Sequence, residues 1–207
     1  MNSEVEGSPR IAIVNYGVGN LFSIASSLRR VGADPFIVSS LENVIGADAL
    51  VLPGVGAFDS AMSFLDTCKI PLRRMIEEGK PLLGICLGMQ VLFERSEEGG
   101  GGLKILKGRV VRLPSKVKVP HMGWNTVKIR RTAELVRGLR DEGFFYFVHS
   151  YVPMAEEEDT VGTTDYGLEF ASIVAKDRVY GVQFHPEKSG KNGLRLLKNF
   201  VEVARRS

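Results

Sequence analysis

Apolar residues in the first half of the chain come in short runs separated by stretches of helical period, the alternation that builds βαβ units and a largely parallel sheet. Ile11–Val14 is the first run. Leu21, Ile24, Ala25, Leu28 and Val31 then recur at helical spacing and Gly32 supplies the stop, before Phe36–Val38 resumes an extended pattern. Ala49–Leu52 predicts a third, buried strand. After the turn Pro53-Gly54-Val55-Gly56, helical stretches cover Phe58–Asp66 and Leu72–Glu78, and Pro81–Ile85 is a further strand running into a helix that starts at Cys86. Past Gly99–Gly102, which predicts a flexible loop, the pattern changes to strands at Arg109–Leu113, Val127–Ile129, Phe144–Val148, Ser172–Ala175 and Val179–Phe184. A last helix, Lys191–Arg205, gathers Leu194, Leu197, Phe200, Val201 and Ala204 on one face and is expected to cover the sheet.

The fold class that follows is one α/β domain: a mostly parallel central sheet flanked by helices, with an antiparallel, strand-rich extension. At 207 residues the chain is too short for two full enzyme domains. Residues 10–207 are read as that domain and residues 1–9 as a poorly ordered N-terminal extension. Hydrophobic residues make up 44% and charged residues 25%, which suits a packed core and excludes wholesale disorder. A net charge of +3 does not by itself ask for a nucleic-acid partner. The charge is uneven, however. Nine Lys or Arg and no acid fall between Lys104 and Arg131, while Glu156 to Asp159 is an acidic run, and both read as solvated faces or as a docking surface. No apolar stretch is long enough to span a bilayer and Met1–Pro9 lacks the basic and apolar parts of a signal peptide, so a cytoplasmic location is expected. The two cysteines, Cys68 and Cys86, form no CxxC pair and predict reduced thiols.

Chemistry concentrates in Pro81-Leu-Leu-Gly-Ile-Cys86-Leu-Gly-Met-Gln90, a strand running into Gly-x-Cys-x-Gly and a helix. The spacing is that of a nucleophile elbow, in which flanking glycines permit a strained turn that presents the nucleophile at a helix N-terminus. Cys68 has no such setting and reads as a packing or surface thiol. A cysteine nucleophile needs a base, and the histidines are His121, His149 and His185. His185-Pro186-Glu187 follows a strand; in an extended chain residues two apart share a side, so Glu187 can reach and orient the imidazole. His149 reads as site-lining or structural, and His121 falls in a loop, Pro120-His-Met-Gly-Trp-Asn125. Gly17-Val-Gly19 lacks the third glycine of a dinucleotide fingerprint, and the scattered histidines lack zinc spacing, so neither cofactor nor metal is expected. Pro53-Gly54-Val55-Gly56 lies at the same sheet edge as Cys86 and offers backbone N–H groups for a developing oxyanion, or is a simple tight loop.

Together Pro53-Gly-Val-Gly56, Gly84-Ile-Cys-Leu-Gly-Met-Gln90 and His185-Pro-Glu187 resemble the class I glutamine amidotransferases over nearly the whole chain, with their flavodoxin-like core. The resemblance implies a Cys86, His185, Glu187 triad that hydrolyses the side-chain amide of glutamine. It further implies an oxyanion hole from the N–H groups of Val55 and Leu87, and glutamine held by Gly56, Gln90, Glu98, Ser150 and Tyr151. Asn15–Asn20, Pro53–Phe58 and Pro120–Asn125 resemble one branch of the family, in which the ammonia passes to a (β/α)8-barrel cyclase partner in a heterodimer. By matching position, Asn20, Met122, Trp124, Tyr146 and Lys188 would face that partner. On the residues alone, a different amidotransferase, a cysteine hydrolase of similar fold and a non-catalytic docking subunit stay open.

Overall fold

The computed structural model describes residues 7–17, 20–40, 44, 46–54 and 56–206. Residues 1–6 and Val55, on which two of the expectations above fall, lie outside the described residues. Five strands, β1 (Arg10–Val14), β2 (Asp34–Val38), β3 (Ala49–Leu52), β4 (Leu82–Ile85) and β12 (Val179–Val182), pair in parallel in the order β2-β1-β3-β4-β12. With β12 as the fifth strand, this is the flavodoxin order, whose ligands sit beyond the carboxyl ends of the strands. Both faces of β1, β3, β4 and β12 are covered, whereas β2, at the margin, leaves Ile37 half exposed. Ile11 and Ile13 point to one hydrophobic cluster with α1 (Leu21–Arg30) and α5 (Gly190–Ala204), while Ala12 and Val14 point to a second with α2 (Phe58–Thr67) and α3 (Lys69–Glu77). Two-sided burial explains why the inner parallel strands read as apolar runs rather than alternations.

Past β12 the sheet turns antiparallel through β11 (Glu169–Lys176), β10 (Thr160–Asp165), β7 (His121–Ile129) and β8 (Glu142–His149). A small second sheet, β5 (Arg95–Ser96), β6 (Gly108–Arg112) and β9 (Tyr151–Ala155), packs on the α2 and α3 face. Among the described residues no helix is long and apolar enough to cross a membrane.

Several local expectations shift. Pro120–Asn125 is not a loop: β7 starts at His121 and pairs with β8 from His121↔His149 to Lys128↔Glu142. Its apolar residues Met122 and Trp124 face outward while His121 is buried, an inverted alternation that hides the strand. β5 (Arg-Ser) and β10, with three threonines, carry no apolar run, and the apolar β9 is interrupted by Pro153, so none of the three shows a strand alternation. On α5, Leu196 rather than Leu194 reaches full burial, and α3 begins at Lys69.

Candidate active site

At the carboxyl end of β4 the chain bends so sharply that Cys86 sits at φ 53° and ψ −108°, a conformation that L-residues avoid. The flanking glycines make the bend possible through space rather than freedom. A Cβ on Gly88 would lie 1.9 Å from the Leu52 carbonyl oxygen of β3, and one on Gly84 would lie 2.4 Å from the Gly88 carbonyl oxygen. The Cys86 N–H donates to Val182 of β12 at 2.7 Å, and the single-turn helix α4 (Leu87–Gln90) follows. Leu87, as the first residue of that turn, has an N–H without an intrahelical acceptor. The Cys86 thiol donates to the Val148 carbonyl at 3.6 Å and accepts from Gln183 Nε2 at 3.5 Å. Cys68, by contrast, is buried between α2 and α3 and donates to the carbonyls of Phe64 and Leu65.

His185 and Glu187 meet at the end of the adjacent strand. Nδ1–H of His185 donates to Glu187 Oε1 at 2.8 Å, and both side chains are buried. The contact is made by a 3-10 turn, Pro186–Lys188, not by the extended chain that the spacing suggested. Nε2 of His185 is buried with no hydrogen-bond partner among the described residues. Burial alone would push this imidazole down; the neighbouring Cys86 sulfur and the Glu187 carboxylate outweigh it and raise its pKa to about 10. The ring therefore favours the imidazolium wherever the thiol opposite has given up its proton. Ser189 braces the turn: its hydroxyl donates to the His185 carbonyl at 2.6 Å and accepts from the Tyr146 N–H at 3.0 Å, while the His185 N–H donates to the Tyr146 carbonyl at 2.9 Å.

In front of Cys86 lies a cavity of about 240 Å3, below the usual span for drug-sized ligands and suited to a small metabolite. Gly56, Gln90, Glu98, Ser150 and Tyr151 all line it, together with Cys86 and Leu87. Glu98 is half-buried, and its carboxyl is raised by that burial and by the charge of Asp59, while an N–H of Phe58 at the start of α2 opposes the rise. This contact ties Glu98 to the segment that follows Gly56. Among the described residues no three His, Cys, Asp or Glu side chains converge as metal ligands.

His149, the last residue of β8, also lines the cavity, as its place at the end of that apolar strand suggested, but its bond to His121 had no signal in the sequence. The Tyr151 carbonyl accepts from His149 Nδ1 at 3.0 Å, which leaves His149 Nε2 to accept from His121 Nδ1 at 3.1 Å. His121 Nε2 in turn accepts from Asn125 at 3.3 Å, so the chain is complete with both rings neutral. Burial lowers His121 to about 4, and burial with the neighbouring His121 lowers His149 to about 3.

The pH dependence of stability follows from the signs. His185, raised from 6.5, stabilises fully below that pH and loses its contribution as pH rises through about 10. His121 and His149 stabilise fully above 6.5 and lose theirs as pH falls through about 4 and about 3. The denaturant midpoint should therefore be higher at pH 6.5 than at either flank, and urea unfolding followed at acid, neutral and alkaline pH checks this.

Met122, Trp124 and Phe144 form an exposed apolar patch on the β7–β8 hairpin, at 63%, 56% and 61% exposure. Tyr146 meets Trp124 edge-on at 5.9 Å between ring centres and carries the Lys188 ammonium 5.9 Å above its ring. Asn20 caps α1, its side chain accepting from the Ser23 N–H at 3.2 Å. Phe144 joins this group without having been singled out from the sequence.

The fold and this cysteine site are those of a glutamine amidotransferase of class I, and the chain belongs to that family: the model described as "Glutamine amidotransferase class-I" matches residues 12–204. Relatives named imidazole glycerol phosphate synthase subunit HisH extend over almost the full length. That of Methanosarcina acetivorans is 52% identical over 203 residues, covering 94% of this chain and 98% of its own. That of Archaeoglobus fulgidus is 51% identical over 200 residues, covering 95% and 100%. Among solved structures, PurLQS from Thermotoga maritima aligns with a TM-score of 0.77 at 17% identity, over 95% of this chain and 99% of that chain. A glutamine amidotransferase from the same organism aligns at 0.68 with 18% identity, over 96% and 99%. At these identities the structures speak for the single-domain α/β fold.

Proposed function

We propose that the chain is the glutaminase subunit of imidazole glycerol phosphate synthase, delivering ammonia to a (β/α)8-barrel cyclase in a heterodimer. The observation that carries this reading is the cavity in which Cys86 faces Gly56, Gln90, Glu98, Ser150 and Tyr151 with the His185–Glu187 pair behind it. The identity of about half with relatives of that name supports the choice of pathway, histidine biosynthesis, and the residues of Asn15–Asn20 and Pro120–Asn125 point the same way.

Glutamine enters with its side-chain amide over Cys86. The thiol proton passes to His185 Nε2, the sulfur attacks the amide carbon, and the oxyanion is held by the N–H of Leu87, with Val55 as the second donor. The imidazolium gives its proton to the departing nitrogen as the C–N bond breaks, releasing ammonia and leaving a glutamyl thioester. Water, deprotonated by His185, then cleaves the thioester to glutamate and restores the thiol. Glu187 holds the imidazole in the tautomer that leaves Nε2 free. The cyclase meets the exposed patch of Met122 and Trp124 with Tyr146, Lys188 and Asn20, where aromatic residues serve as anchors; there ammonia, glutamine's nitrogen, is used to make imidazole glycerol phosphate and AICAR.

The purified chain mixed with the cyclase and its ribulosyl phosphate ligand should convert glutamine to glutamate, with one imidazole glycerol phosphate formed per glutamine consumed. Glutamate release is read by enzymatic assay. A complex that forms product from ammonium salts but never from glutamine would refute the reading.

A further inference from the structure

Gln183 follows β12 within a run of apolar residues, yet it is wholly buried, and its backbone is held by a hydrogen bond to the Ser172 carbonyl at 3.0 Å. Which way its amide faces is settled by a chain of contacts that each work in one direction. A backbone carbonyl only accepts, so Gln90 must turn its Nε2 to the Tyr151 carbonyl, 3.0 Å away. The same Nε2 lies 3.0 Å from the Gln183 side chain, and the atom it meets must be the acceptor, Oε1. The Gln183 amide nitrogen is thereby left on Cys86, donating to Sγ at 3.5 Å. A second polar neighbour of the sulfur, the Val148 carbonyl at 3.6 Å, can accept the S–H but repels the anion that remains once the proton has gone to His185.

We propose that Gln183 stabilises the Cys86 thiolate through this N–H, and that Gln90 positions it, so that one relay runs from the wall of the substrate cavity to the nucleophile. Gln183 touches the reacting sulfur and so belongs to the catalytic machinery; Gln90, with both its N–H groups engaged in the relay, offers the cavity only its carbonyl oxygen. The relay's catalytic consequence rests on the glutaminase reading, but the stabilisation of the thiolate does not.

Two variants of the full chain test it. Gln183→Met keeps the volume and loses both polar atoms; Gln183→Glu keeps the acceptor toward Gln90 and replaces the donor toward sulfur. Alkylation by iodoacetamide at neutral pH, followed by mass spectrometry of the peptide that holds Cys86, should slow about five-fold or more in both, the effect of removing a hydrogen bond to a charged atom. In the complex with the cyclase, kcat for glutamine should fall by a similar factor with KM unchanged. Wild-type alkylation rates in both variants would overturn the proposal, as would faster labelling of Cys68 and Cys86 together, the mark of a merely structural role. Slowed alkylation in a protein whose wild type never hydrolyses glutamine would uphold the role of Gln183 and refute the glutaminase reading alone.

Discussion

Cys86→Ala should remove glutamine hydrolysis, by at least about 10^4-fold, the scale seen when a nucleophile is deleted from a triad. The paired cyclase should still form product when ammonium is supplied, because the substitution leaves the rest of the chain's surface unchanged. Glutamate release and product formation, measured on the same complex, separate the two outcomes, and persistent glutamine turnover would exclude Cys86 as the nucleophile. A companion variant reads the backbone. At φ 53° and ψ −108° any side chain is strained. Cys86→Gly should therefore be as inactive as Cys86→Ala yet unfold at higher urea, by about 1 kcal/mol after the greater freedom of glycine in the unfolded chain is subtracted.

Gly88→Ala should disable the protein more broadly. The new methyl would fall 1.9 Å from the Leu52 carbonyl oxygen, and that oxygen belongs to a buried central strand that cannot retreat. Relief requires α4 to lift from β3, which displaces the Leu87 N–H and the cavity wall at Gln90 together. A loss of several kcal/mol in unfolding free energy, the range reserved for overpacking against fixed backbone, is expected alongside loss of glutaminase activity. Denaturant unfolding and the glutamate assay check the two effects. A Gly88→Ala protein with unchanged midpoint would mean that the elbow has slack the structure does not show.

How much of this was legible in the sequence depends on the residue. The parallel half was readable because β1, β3 and β4 are buried on both faces and so stand out as apolar runs between amphipathic helices. The elbow was readable because its glycines are compelled by backbone contacts that no other residue tolerates. The antiparallel half was harder. β7 turns Met122 and Trp124 outward, where they are exposed, and β10 is rich in threonine, so neither shows the usual alternation. The His185–Glu187 contact was anticipated from an extended spacing but is made by a 3-10 turn, a local bend that spacing of two cannot distinguish. Gln183 and Ser189 passed unnoticed because their roles depend on partners 97 residues away in one case and 43 in the other. The only local hint was a polar amide inside an otherwise apolar strand end.

The turn that carries His185 has a second consequence, for the sheet as a whole. β8 is the last strand of the nine-stranded sheet, and its outer edge would ordinarily present open N–H and C=O groups to another chain. At Tyr146 both groups are taken, the N–H by Ser189 and the carbonyl by His185, and the Phe144 carbonyl is taken by Asn192 of α5. The opposite margin, β2, carries Pro35, which cannot donate. Ser189, His185 and Asn192 thus occupy the edge groups of β8 at Tyr146 and Phe144, so that another chain arriving at this border cannot add a strand across them.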